Sequence, residues 1–373
     1  MRLVETVVEA VRKINDQCAV MTNPGWPRDR DVLAWGIDVG RLARATDGLL
    51  IENRCFPRAE GERIVGSSYA YRLADAAGGL AIASVWMPGM QLPETAEQAR
   101  RALCEPLAFG GHVVCAPWAL RPLGDHAKGR LGPDEPYLRR DELAEACAAC
   151  IGLGRSVQSL YADARPWARI AVLHSLEPFV HDYTAALAKM LTIDAALMAE
   201  HIPYRLVLPG QPLHREEFDA VIVADLQHLS SADRGVLEGF CAAGGRLVEL
   251  PAGLTGRLYP DPSVALGPET CRWAASLRER LSTATPYAIQ APRGVVSFVM
   301  RRAGRILLGL FNYAGGSVRT GVSVDRRIWP VRQIRLHRLG ERPGNLSVSI
   351  DGHRARFELP AWDVYALCEM QTA

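Results

Sequence analysis

Apolar residues in the first 120 positions fall into two alternating patterns. Val4, Val7, Val8, Val11 and Ile14 recur at the i, i+3, i+4, i+7 spacing of an amphipathic helix, so the chain is expected to open on one. The run Cys18-Ala19-Val20-Met21-Thr22-Asn23-Pro24 follows, apolar and then closed by polar and breaker residues, as suits a buried parallel strand and the loop after it. The unit returns at Gly48-Leu49-Leu50-Ile51-Glu52-Asn53, at Leu80-Ala81-Ile82-Ala83-Ser84-Val85-Trp86 and at His112-Val113-Val114-Cys115-Ala116-Pro117-Trp118. Helix-compatible stretches at Asp38 to Thr46, Ser67 to Ala77 and Glu94 to Ala108 lie between these strands. Alternation of this kind predicts a parallel sheet. Four such βα units are half of a (β/α)₈ barrel, which takes roughly 250 residues.

A helical segment, Glu142 to Tyr161, is followed by the punctuation Arg165-Pro166-Trp167 and a fresh α/β pattern. Its strands are expected at Arg169 to His174, Tyr204 to Leu208, Phe218 to Val223 and Gly245 to Leu250, with helices at Asp182 to His201 and Ser231 to Ala243. Short alternating units like these predict a small doubly wound, flavodoxin-like sheet. Beyond about residue 285 the period drops to two. Strands at 295–300, 305–312, 316–324, 333–339, 346–350, 355–359 and 365–369, separated by Gly, Pro, Asn and Asp, predict an antiparallel β-sandwich. The expected fold class is therefore α/β, in three parts: 1–160, 161–284 and 285–373.

Composition narrows the function. The 373 residues are 49% hydrophobic and 23% charged, enough for two or three domain cores. Lys plus Arg (43) nearly balance Asp plus Glu (41), and the net charge of +2 gives no field suited to nucleic acid or an anionic membrane. No run reaches the roughly 18 apolar residues of a membrane span, and the N-terminus does not read as a signal peptide. Nine scattered cysteines suit a reducing, cytoplasmic setting better than a disulfide framework. Cys147 and Cys150 form a Cys-x-x-Cys in an Ala-rich helical run with no second pair at metal spacing, so they are expected to pack, and neither metal nor cofactor is expected.

The order of these parts resembles the family 42 β-galactosidases, in which a barrel is followed by a glutamine-amidotransferase-like trimerisation domain and a small β-domain. The resemblance covers nearly the whole chain. It implies that the four strands ending at Asn23, Asn53, Trp86 and Trp118 are barrel strands five to eight. It also implies a general acid/base Glu at the end of strand four, which the chain does not supply, and a nucleophilic Glu at the end of strand seven, where Val85-Trp86-Met87 stands. Glycoside hydrolysis needs two carboxyl groups flanking the bond, so the sequence offers an incomplete pair.

Glu52 is the remaining catalytic candidate, because a carboxylate directly after an apolar strand sits at the carboxyl mouth where barrel sites are built. Its bland alternative is a local ion pair with Arg54. Trp86 and Trp118 are candidate sugar-stacking faces or, equally, caps on the core. Trp118 matches a strand-eight Trp of the family. Asn23 and Asn53 can bind sugar hydroxyls, although Asn also suits loop starts. In the middle part, amidotransferase chemistry needs a Cys on a strand-to-helix turn, and after Val223 the chain reads Ala224-Asp225-Leu226-Gln227-His228. That part is expected to serve assembly, with His174 and His228 as loop or interface residues.

Four strands cannot close a barrel, so backbone edges and inward Val, Leu and Ile side chains are left needing a cover. A longer polypeptide, a second copy, or a separate partner that supplies the missing half would each provide it; the helical start at Met1 fits the first. The functional expectation is a β-galactosidase-like protein acting on carbohydrate with an incomplete catalytic pair. Its alternative is a non-catalytic sugar-binding or assembly protein, and a homo-oligomer, trimeric in the family, is expected for either.

Overall fold

A computed structural model describes residues 2–22, 38–52, 55–78, 80–84, 93, 95–115, 140–259, 263–281 and 285–372. Helix α1 (Arg2–Ile14) leads to β1 (Met21–Thr22), then α2 (Val39–Ala45), β2 (Gly48–Glu52), α3 (Ser68–Ala76), β5 (Leu80–Ser84), α4 (Ala96–Ala108) and β6 (Val113–Cys115). Asp38 and Thr95 cap α2 and α4 by accepting the N–H of Arg41 and Gln98, so these helices begin where the sequence places a short polar side chain. The four strands form one parallel sheet in the order β1-β2-β5-β6, each beside its predecessor in the chain. Gly48 is required by the close packing at its start: a Cβ there would lie 2.4 Å from Met21 Cε and 2.5 Å from the Leu80 carbonyl.

Sequential order puts the described helices that join these strands, α2, α3 and α4, on the same side. Leu49, Ile51, Ala81 and Ala83 are fully buried and share a core with Leu42, Leu73, Ala99 and Leu103 of the three helices. Their alternates, Leu50 and Ile82, are half-buried, and Leu80 is 43% exposed. Helix α1 shows the same division. Val8 is buried and Val4 and Val11 half-buried, while Leu3, Val7 and Ile14 on the adjoining stripe are exposed.

Between β2 and α3 lies a hairpin the sequence pattern does not predict, β3 (Arg58–Glu60) and β4 (Arg63–Val65). It joins β12 (Arg257–Leu258) and β13 (Val264–Ala265), about two hundred residues away, in a sheet of order β12-β13-β4-β3. Strands of two or three residues are too short to carry a periodicity.

Helix α5 (Arg140–Tyr161) leads through β7 (Arg165–Pro166) to the second parallel sheet: β8 (Ile170–Leu173), β9 (Arg205–Val207), β10 (Ala220–Val223) and β11 (Arg246–Glu249), in the order β11-β10-β8-β9. Strand order reverses at β8, as in flavodoxin-like folds. Helices α6 (Glu177–His181), α7 (Tyr183–Ala199), α8 (Ser231–Ala242) and α9 (Pro268–Arg280) complete this region. Strands β8 and β10 are buried on both faces: Ile170, Val172 and Ile222 face α7, and Ala171, Val221 and Val223 face Leu237 and Phe240 of α8.

The C-terminal strands are β14 (Tyr287–Gln290), β15 (Val295–Arg302), β16 (Arg305–Asn312), β17 (Val318–Asp325), β18 (Val331–Arg338), β19 (Gly344–Asn345), β20 (Ser349–Asp351), β21 (Arg354–Trp362) and β22 (Tyr365–Thr372). They form antiparallel sheets of order β14-β17-β21-β20 and β19-β18-β22-β16-β15-β7. Strands β15 and β16 are apolar on both faces because Val295, Val299 and Leu308 fill the sandwich while Val296, Phe298 and Phe311 pack against the helical layer. Strand β7 lies before the doubly wound sheet in the chain yet pairs with β15, which ties α5 to the sandwich.

Candidate functional site

Register aligns the carboxyl ends of the first sheet. Thr22 pairs with Leu49, Glu52 with Ser84, and Ser84 with Cys115, so the loops that follow β2, β5 and β6 leave from one level. Among the described strand ends, Thr22, Glu52, Ser84 and Cys115, Glu52 is the one carboxylate. Asn23, Asn53, Trp86 and Trp118 lie outside the described residues, as does the Glu52 side chain. One carboxylate cannot serve as both acid and nucleophile or base.

The described polar chemistry is concentrated elsewhere. Arg72 interrupts the apolar face of α3, and its side chain is 4% exposed. It meets Asp194 of α7, with Nε 3.6 Å from Oδ1, and donates from Nη1 to the Tyr204 carbonyl at 3.3 Å. Asp194 also accepts the hydroxyls of Tyr204 and, at 3.1 Å, Ser68. The guanidinium lies 4.3 Å from the centre of the Tyr204 ring and 5.2 Å from that of Phe298. A buried charge is tolerated only when paired and hydrogen-bonded, and here both conditions are met across the joint of the two parallel sheets.

Beside it, the Tyr69 hydroxyl and His174 Nδ1 are 2.6 Å apart. Burial lowers the pKa of His174 to about 4, against a weaker upward pull from Asp38, so the ring is neutral at pH 7. His174 lies just after β8 and meets α3 through Tyr69. A second buried carboxylate, Glu105 of α4, accepts the Ser67 N–H at 2.8 Å and the Tyr313 hydroxyl at 2.6 Å, fixing α4 to the sandwich. A charged residue flanked by apolar ones within a helix, as in Tyr71-Arg72-Leu73 or Ile193-Asp194-Ala195, is the sequence signal that marks such pairs.

At the carboxyl edge of the doubly wound sheet, where such folds bind ligands, Asp225 follows β10. It accepts from Lys189 Nζ at 2.7 Å, faces His228 Nδ1 at 3.1 Å, and accepts the Gln227 N–H at 3.0 Å. Burial works to raise its pKa, but Lys189 and His228 outweigh it and hold the carboxyl at about 2. The His181 and His228 rings stack 3.9 Å apart. This turn carries no thiol, and Cys241 lies on α8. Asp225 is thus held by Lys189 and His228 at this edge of the sheet.

Among the described residues, no group of three or more His, Cys, Asp or Glu side chains could hold a metal ion, and no helix is long and apolar enough to cross a membrane. Cys104 and Cys150 are buried with their sulfurs 3.4 Å apart, and Cys147 is half-buried beside them.

No family model matches the sequence, and no curated protein matches it. Solved structures do. An α-L-fucosidase isoenzyme 2 from Paenibacillus thiaminolyticus superposes with a TM-score of 0.64 at 12% identity, over 99% of this chain and 70% of that one. A β-galactosidase from Bacillus circulans sp. alkalophilus gives 0.62 at 13% identity, over 99% and 66% of the two chains. A family 42 exo-carrageenase from Bacteroides ovatus gives 0.60 at 12% identity, over 99% and 55%. The chain thus spans between 55% and 70% of the length of these proteins. At the level of overall architecture, it has the fold of the family 42 β-galactosidases and other glycoside hydrolases.

Proposed function

We propose that this is a β-galactosidase-like protein that acts on carbohydrate through the carboxyl edge of its first parallel sheet, without a complete catalytic carboxylate pair. In this reading β1, β2, β5 and β6 stand as strands five to eight of a (β/α)₈ barrel. Residues 1–160 form that half barrel, 161–284 an amidotransferase-like assembly domain, and 285–373 the β-sandwich. Glu52 is the acid or base, Asn23 and Asn53 hold sugar hydroxyls, and Trp86 and Trp118 stack on sugar rings. The observation that carries it is the common level of the strand ends, with Glu52 on that level, in a fold otherwise found in glycoside hydrolases. Aryl-glycoside hydrolysis measured for the wild type and Glu52→Gln tests the role of Glu52: turnover present in the wild type and lost in the variant, without loss of folding, supports it. Turnover that survives the substitution rules Glu52 out.

A second reading, a non-catalytic sugar-binding or assembly protein, is favoured by the open face of the same sheet, where Leu80 is 43% exposed. It predicts sugar binding without turnover. It also predicts a homo-oligomer, or a complex with a partner that supplies the missing half barrel, either of which sedimentation would detect.

A further inference from the structure

A cavity of about 860 Å³ opens at the end of the first sheet opposite Glu52. Gly78 and Leu80, which enter β5, and Gly110 and His112, which enter β6, line it on one side, and the starts of β8 and β9 line it on the other. Its size is that of a small-molecule site, which typically measures about 300–1,000 Å³. Two features of its lining are unusual, and they have a common explanation.

The first is a histidine–carboxylate pair that is not satisfied. His112 is 5% exposed, stacks on Tyr71 with ring centres 5.6 Å apart, and accepts the Ala81 N–H through Nδ1 at 3.1 Å. The neutral ring therefore carries its proton on Nε2, which stands 3.4 Å from Asp75 Oδ1. Nε2 makes no hydrogen bond among the described residues, and neither does the buried Asp75 Oδ2. Buried polar atoms without partners are rare and costly. Above them sits Gly110, where a Cβ would lie 3.2 Å from both Asp75 Oδ2 and His112 Nε2, so a larger residue would crowd the pair.

The second feature is a pair of facing cations. Arg165 of β7 and Arg301 of β15 are direct register partners on an antiparallel ladder, and both line the cavity. Like charges directly opposite one another destabilise a ladder. The other arginines of the wall are neutralised, Arg169 by Asp219 at 2.6 Å, Arg205 by Glu217 at 3.1 Å and Arg72 by Asp194 at 3.6 Å. Arg165 and Arg301 have no carboxylate partner among the described residues.

We infer that the cavity binds a small hydroxylated anion, a sugar acid or a sugar phosphate. Its carboxylate or phosphate lies between Arg165 and Arg301, and its hydroxyls accept from His112 Nε2 and donate to Asp75 Oδ2. Arginine pairs suit both anions because the guanidinium fork matches their oxygens. Half-buried Trp167 supplies an aromatic wall of the kind that covers a sugar ring. This site does not depend on the glycosidase reading.

Isothermal titration of the full chain with glucuronate, glucose 6-phosphate, inorganic phosphate and uncharged glucose tests it. Both charged sugars, or whichever one matches the natural anion, bind at least tenfold more tightly than glucose. The Arg165→Gln, Arg301→Gln double variant weakens that binding at least tenfold, while its melting temperature holds or rises as the like-charge repulsion is relieved. Asp75→Asn weakens the charged sugar and leaves inorganic phosphate unchanged. Failure of both charged sugars to bind, glucose binding as tightly as they do, or an affinity unmoved in the double variant overturns the inference.

Discussion

The two parallel sheets are built from the same local parts and end up in opposite situations. Both have four strands joined by helices, and both read in sequence as short apolar runs closed by polar residues. In the first, each strand is added beside the last, so right-handed crossovers stack the described helices α2, α3 and α4 on one face. The other face is left with Leu50 and Ile82 half-buried and Leu80 exposed. In the second, the order reverses at β8 and the crossovers fall on both faces, so β8 and β10 are buried throughout. The lesson is that topology decides whether a parallel sheet is self-sufficient. The second buries its central strands on both faces, and the first leaves Leu50, Ile82 and Leu80 of one face partly exposed.

Breaking the joint between the two sheets gives the largest expected effect. Asp194→Ala leaves the Arg72 charge buried without its carboxylate, and such a change costs about 3–5 kcal/mol, read as a lower urea midpoint. A loss under about 1 kcal/mol would show that apolar packing alone holds the joint. The contrast between the sheets is next. Ile222→Ala in β10, buried on both faces, is expected to cost about 2–5 kcal/mol. An equal cost for Ile82→Ala, on the half-buried face of β5, would contradict the difference between the two sheets.

Acid sharpens the comparison from another side. His201, at the end of the helix that covers the second sheet, is 8% exposed, and burial, aided by Arg278, lowers its pKa to about 4. An unfolded histidine titrates near 6.5, so the unfolded chain takes up this proton first as pH falls. The stabilisation is complete above about pH 6.5 and is lost down to about pH 4, by about 3 kcal/mol at most for this ring. His201→Asn, which keeps a residue type that tolerates the φ of +52° at this position, should flatten the stability profile in that window. An unchanged profile would mean that another group carries the slope. The smallest effect is expected on the open face, where Leu80→Ser should shift stability by no more than about 0.5 kcal/mol. A cost of several times that would show Leu80 covered in solution.

Much of the architecture was legible in the residues. Helices at Val39–Ala45, Ser68–Ala76 and Ala96–Ala108 fall inside the stretches the pattern assigns, as do β2 and β5, whereas the β3–β4 hairpin does not. Of the candidate site, Glu52 falls at the end of β2, as the sequence pattern expects, and Asn23, Asn53, Trp86 and Trp118 lie outside the described residues. The unsatisfied Asp75–His112 pair and the opposed arginines were invisible. His112 reads as the polar start of a strand, and Arg165 and Arg301 become neighbours only through the pairing of β7 with β15.

By itself the sequence determined the local elements, since a period of 3.6 or 2 and a capping Asp38 or Thr95 act over a few residues. It also determined which strand ends carry polar groups. Tertiary structure alone decided the strand order, the face left uncovered, and contacts such as Arg63 Nη1 with Ser263 Oγ at 3.0 Å across two hundred residues. The reason is physical: local patterning reports how a segment sits against its immediate neighbours, whereas which distant segment meets it depends on the burial and pairing of the whole chain.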